Sequence, residues 1–201
     1  MIETQPLPLT DAAQLPAGAA AVLSFWLGEV PLCNAAALEE RAMWFRKSEA
    51  LDAEIAHRFG DDVLDAQAGE YDHWAQTAEG TLALLILLDQ FTRNIWRGKP
   101  ASFSGDAKAL ALAKRALAQG RDAQVVSVAR IFFYLPLEHA EDMACQNAAV
   151  AAFEHLAACA DAKTYDFLQV TADFARKHRE VVAQFGRFPH RNRILGRPST
   201  A

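Results

Sequence analysis

Residues 82–98, LALLILLDQFTRNIWRG, constrain the fold of this chain more than any other stretch. Seven apolar residues, Leu82 to Leu88, lead without a break into Asp89, Gln90, Arg93, Asn94 and Arg97. A segment apolar on nearly every face has to be buried all round. At helical spacing Asp89, Arg93 and Arg97 fall at i, i+4 and i+8 and share one face. The helix therefore carries a charged row in or beside the interior, where charge without a partner is costly. The simpler alternative is a half-exposed Asp–Arg ladder, worth about 0.2–0.5 kcal/mol per pair.

The rest of the sequence is that of a globular helical protein. It has 201 residues, 52% hydrophobic and 22% charged, enough to bury a sizeable core and too apolar for disorder. No linker appears, so one domain over 1–201 is expected, with an extended lead-in (1–15) and a docked basic tail (186–201). Alanine and leucine are abundant and β-branched residues few, which favours helix. The three cysteines (Cys33, Cys145, Cys159) form no close pair, so neither a disulfide framework nor a zinc knuckle is expected, and a reducing cytoplasm is the natural home. No basic residue precedes Arg41, unlike a secretory signal, and no apolar run is long enough to span a bilayer.

Helix signals recur along the chain. Pro16 opens Ala17–Leu27, which Gly28 closes, and a second pattern covers 35–46. Ser48 can cap a helix with Leu51, Ile55 and Phe59 inward. Gly60 interrupts it, and a weaker pattern resumes from Val63 to Trp74. Thr77 precedes the Leu82 helix, which Gly98 ends. Ser104 can cap the next, with Leu110, Ala113 and Leu117 inward. Asp122 caps 123–134, stopped by Pro136. A long alanine-rich helix is expected over 139–159. The last runs over 164–185 with Phe167, Val170, Phe174, Val181 and Phe185 inward. No segment alternates with period two, so no strand is expected. The class is all-α, with no sheet: a multi-helix bundle or a degenerate TPR-like helical array.

Three clusters could carry chemistry. The first is Asp89, Gln90, Arg93, Asn94 and Arg97. The second is LPLEHAEDMACQ (135–146), where His139, Asp142 and Gln146 would share one face of a helix starting after Pro136. A His one turn from a carboxylate can serve as a general base held in one tautomer. Helix capping accounts for Glu138, Glu141 and Asp142 without function, but not for His139 or Gln146. The third is HREVVAQFGRFPHRN (178–192), where a bend at Gly186 and Pro189 gathers Arg187, His190, Arg191 and Asn192. Guanidiniums on a rigid loop suit a carboxylate or phosphate, or else a helix C-terminus. Glu54–His57 and Glu70–His73 have the Glu-x-x-His spacing of di-iron bundles. They are only sixteen residues apart and read as surface pairs, so no metal is expected. GxSxG, HExxH and P-loop motifs are absent, and no cofactor is implied.

LLDQFTRNIWRG, LPLEHAEDMACQ and FGRFPHRNRILGR, with FWLGE (25–29) and WFRKSEALD (44–52), resemble the signature stretches of a bacterial family catalogued as domain of unknown function 924. The resemblance spans roughly residues 20–200. It implies a TPR-like all-helical fold and no particular activity. Where the family's second motif has serine after the histidine, this chain has Ala140.

Two functional expectations follow. In the first, a pocket binds a small anion. Arg93, Arg187 and Arg191 clamp it, Asp89, Asn94, Gln146, His178, His190 and Asn192 complete the wall, and His139 with Asp142 or Glu138 moves protons. The alternative is a TPR-like scaffold for a partner peptide, its polar cluster purely structural, and its apolar faces could equally pair two copies of the chain. Residues 176–197 carry seven basic residues against Glu180, leaving −11 on the remainder. That run is short and the body acidic, so nucleic acid is the weakest reading.

Overall fold

A computed structural model describes residues 15–28 and 43–199. The described residues form helices and turns with no strand: α1 (Ala17–Leu27), α2 (Glu49–Ala68), α3 (Ala78–Leu85), α4 (Thr92–Ile95), α5 (Asp106–Ala118), α6 (Ser127–Glu138), α7 (Met143–Ala158) and α8 (Tyr165–Phe185). Most of the expected 35–46 helix, and Cys33, lie outside the described residues.

The Leu82 stretch is central, as its composition demands. α3, a π-helical turn (Ile86–Phe91) and α4 run on as one rod, and residues 80–92 are all buried. α2 packs on the π turn and α4, α1 on α3, and α5 on α3 and α6. α7 sits against both α6 and α8. Trp26, Phe91 and Phe132 meet edge to face in the core, with ring centroids of Trp26–Phe91 5.3 Å and Trp26–Phe132 6.2 Å apart.

Several boundaries differ from the sequence reading, each for a local reason. α2 continues through Gly60, which sits with open space where a Cβ would project, and stops at Gly69 in the left-handed region. The Leu82 rod ends at Ile95, so Arg97 lies in the following turn and leaves the Asp89–Arg93 row. The residue before α5 is Gly105 rather than Ser104, and the buried face is Ala109, Leu112, Ala113 and Ala116, leaving Leu110 and Leu117 half-buried.

The largest departure concerns Pro136. It lies inside α6, near the end, where its missing N–H removes a single rung. His139 therefore closes α6 instead of opening the next helix. Asp142 is extended and accepts the Cys145 N–H at 2.8 Å, so it caps α7. His139 and Asp142 thus belong to different elements, and the expected single face with Gln146 does not form.

On α8 the buried face is Leu168, Thr171, Ala172, Ala175 and Val182. Phe167 is half-buried, while Val170 and Phe174 are about half exposed, at 50% and 51%. All three side chains line a cavity, and of them Phe167 also packs against the core. No helix among the described residues is long and apolar enough to cross a membrane.

Candidate functional site

The site begins at the π turn. A π turn is a locally unfavourable winding that recurs at functional sites. Here it carries Asp89 into the interior at 1% exposure. Oδ1 of Asp89 accepts from Nδ1 of His139 at 2.8 Å, and Oδ2 accepts from the Gln90 amide at 2.7 Å. Arg93, one turn on, lies 3.2 Å from the same carboxylate and donates to the Asp89 carbonyl at 2.7 Å. Burial alone would raise the Asp89 pKa. The Arg93 charge, His139 and the Gln90 amide outweigh it and hold the carboxyl well below the usual range. An ionised carboxylate only accepts, so the His139 nitrogen facing Asp89, Nδ1, is the donor of this bond.

Arg93 also reaches Asp106, at 2.9 and 3.1 Å, and Asp106 is there because of Gly105. A Cβ on Gly105 would lie 2.1 Å from the Leu88 carbonyl oxygen, so the start of α5 can press on the π turn only with glycine at that position. Asp106 in turn accepts from Arg191 at 3.3 Å. The other Arg191 nitrogen donates to the His139 carbonyl at 3.0 Å, capping the end of α6. The Arg191 guanidinium carbon lies 4.6 and 4.7 Å from the ring centres of Phe103 and Phe188. Burial, and then the nearby charge of Arg93, lower the Arg191 pKa, yet a guanidinium stays charged.

A second histidine–carboxylate pair faces the first. Glu138 is buried at the C-terminal end of α6, where the helix dipole disfavours a negative charge. His178 of α8 compensates, with Nδ1 3.0 Å from Glu138 Oε1 and 2.9 Å from the Phe174 carbonyl. Burial pulls the His178 pKa down, but Glu138 and the Phe174 carbonyl win and the net shift is upward. The two imidazole centres are 6.5 Å apart. Neither Nε2 bonds to another described residue.

Three cavities meet at His139. One, of about 600 Å³, is apolar and lies among α6, α7 and α8, lined by Ile131, Leu135, Phe153, Phe167, Val170 and Phe174 with Phe45, Glu138, Thr171, His139 and His178. A second, of about 260 Å³, is lined by Arg93, Arg97, Arg191, His139, His178 and His190, with Phe103, Ser102, Gly98 and Ile194. The third, of about 280 Å³, includes Arg93, Asn94, Arg97, Gln90, Arg46 and Lys47. Among the described residues no carboxylate lines the second or the third cavity. Asp89, Asp106 and Asp52 sit behind the arginines they pair with.

The structure thus brings together Asp89, Arg93, Glu138, His139, His178, His190 and Arg191. Asn94 donates to Asp52 of α2 at 2.8 Å, and Arg97 binds the same carboxylate at 2.6 and 2.8 Å. Gln146 is fully buried, and its amide donates to the carbonyls of Glu138 (2.6 Å) and Ala140 (2.7 Å), so it shapes the turn after α6 from behind. Asn192 is buried next to Arg191 and lines none of the three cavities. Arg187 lines none of them either, and Asp142 is exposed as the α7 cap. The partner of His139 is therefore Asp89, fifty residues earlier in the chain, and not Asp142.

Sequence reasoning missed Asp106, Phe103 and the apolar wall. The one local signal was Gly105 immediately before an acidic residue, which reads as an ordinary helix start. Glu141, read as capping, instead binds Arg197 of the tail at 2.6 and 2.8 Å and accepts the Phe188 N–H at 2.8 Å. Of the Glu-x-x-His residues, Glu54 pairs with Arg58 and His73 bonds the Glu70 carbonyl. Among the described residues no three His, Cys, Asp or Glu side chains group as metal ligands.

Residues 22–201 match the model of the family described as "Bacterial protein of unknown function (DUF924)", and the chain belongs to that family. It is similar to the solved structure of a protein of unknown function from Agrobacterium tumefaciens. The two are 37% identical with a TM-score of 0.76, over 90% of this chain and 92% of that one. No curated protein matches the chain.

Proposed function

We propose that the cleft at His139 binds a small anion, a carboxylate or a phosphate, and performs acid–base chemistry on it. The observation that carries this reading is the second cavity: three guanidiniums and three imidazoles line it, and among the described residues no carboxylate does. Arginines held from behind by Asp89, Asp106 and Asp52 are pre-organised, so an incoming anion meets fixed donors at little cost in side-chain freedom. His139, anchored through Nδ1 by Asp89, lines the cleft and can exchange a proton through Nε2. His178, drawn towards the charged form by Glu138, is suited to donate a proton. Two histidine–carboxylate pairs on one cleft suit acid–base chemistry.

Thermal-shift titration with inorganic phosphate and with short carboxylates tests the binding half. Stabilisation is expected for the wild type and for Arg115→Ala, on the exposed face of α5, and it should vanish in Arg93→Lys and Arg97→Gln. Absence of a response to every anion would sink the proposal and leave the TPR-like peptide scaffold as the better reading.

A further inference from the structure

The anion cavity and the apolar cavity are not separate. His139 and His178 line both, so the two rings form the shared wall between a cationic chamber and a greasy one. The apolar chamber, at about 600 Å³, is of the size that holds a small organic ligand. Its lining is unusual for a helix surface. Phe174 and Val170 are 51% and 50% exposed, although α8 has buried positions one residue away at Ala175 and Thr171, and Phe45, before α2, is 58% exposed. A chain that leaves large apolar side chains on the wall of a recess, with charge confined to one end, has a surface shaped for an amphiphile.

We propose that the ligand is a monomeric amphiphilic anion. Its phosphate or carboxylate head sits among Arg93, Arg97 and Arg191, and its apolar chain or ring enters the chamber between α6, α7 and α8. The junction of head and tail then lies at the two imidazoles, beside Nε2 of His139. This deepens the anion-binding reading above and rests on it. The charge distribution gives the orientation. The carboxylate of Glu138 lines the apolar chamber and repels a second negative charge there, whereas among the described residues three guanidiniums and no carboxylate line the arginine end. The location among packed helices, against Ile131, Leu135 and Phe153, suits a single chain leaving water and not a flat membrane surface.

Calorimetric titration of the full-length protein with inorganic phosphate, butyl phosphate and octyl phosphate tests the proposal. The alkyl phosphates are kept below their micellar concentrations. Each methylene buried from water is worth about fourfold in affinity, so octyl phosphate should bind at least about tenfold more tightly than butyl phosphate even with partial burial. Phe174→Asp and Val170→Asp change half-exposed side chains, so the fold should survive. They should remove the gain with chain length while leaving the response to inorganic phosphate. Octylamine, with the opposite charge, should not bind. Equal affinity across the series would overturn the amphiphile and leave the small-anion site standing, whereas no response to inorganic phosphate or any ester would remove both. Octylamine binding as well as octyl phosphate would reduce the chamber to a generic apolar patch and overturn the proposal. Preferential binding to vesicles of anionic phospholipid over the monomeric esters would replace the soluble ligand with a lipid surface and overturn it too.

Discussion

Asp89 is the residue on which the site turns. It is nearly inaccessible, ionised, and bonded to three other side chains, of which His139 and Arg93 reach the cleft. Breaking a buried pair by removing one partner costs about 3–5 kcal/mol. Arg93 keeps Asp106 as a second partner, so Asp89→Asn should cost about 3 kcal/mol, read as a fall in denaturation midpoint at an unchanged m-value. It should also free the His139 ring to adopt the other tautomer, visible in its imidazole nitrogen shifts.

His178 supplies a pH signature. Its pKa is raised in the fold above the ordinary 6.5, so native His178 holds its proton over a range where the unfolded chain has lost it. The stability it contributes is complete below pH 6.5 and is lost as pH rises through the raised native value. The stability difference between wild type and His178→Gln should therefore shrink with rising pH across that window. A difference that grows with pH would contradict the Glu138–His178 pairing.

At the scale of elements, two irregularities place the charged residues. The π turn places Asp89 so that it meets His139, while the end of the rod at Ile95 sends Arg97 to Asp52 of α2. Gly105 then seats the first turn of α5 on the Leu88 carbonyl. Gly105→Ala puts a methyl group into a backbone oxygen, neither of which can swing away. It should cost about 1–3 kcal/mol, as overpacking does, and should weaken anion binding because Asp106 moves with the helix start. Gly60→Ala makes the matched control: it fills open space in the interior of α2 and should stabilise by about 0.4–1 kcal/mol.

At the scale of the whole molecule, the far end of the chain completes the site. Phe188 is buried, Arg191 bridges α5 and the end of α6, and Arg197 forks onto Glu141 between α6 and α7. Arg197→Ala removes a half-buried, two-pronged ion pair and should cost about 1 kcal/mol. The larger consequence is local. Amide exchange over residues 186–197 should accelerate, and phosphate affinity should fall with it because Arg191 and His190 are carried by this segment. Unchanged exchange there would show that Phe188 alone holds the tail.

The sequence determined the class, the position of the Leu82 rod and the Asp89–Arg93 pair, because these follow from composition and from spacing within one element. Asp89 and Arg93 are an i, i+4 pair, and no fold is needed to see that they are neighbours. The partners across elements were decided only in the tertiary structure. Spacing suggested Asp142 for His139, but a carboxylate just ahead of a helix is worth more capping Cys145 than pairing with an imidazole on the same turn, and the helix breaks there. The partner of His139 is Asp89, and the contact of Gly105 with the π turn brings in Asp106, which in sequence reads as an ordinary helix start. The apolar residues of α8 show the same limit. Periodicity identified Phe167, Val170 and Phe174 as a stripe, but whether a stripe faces a filled core or an open chamber depends on what the neighbouring helices place opposite it.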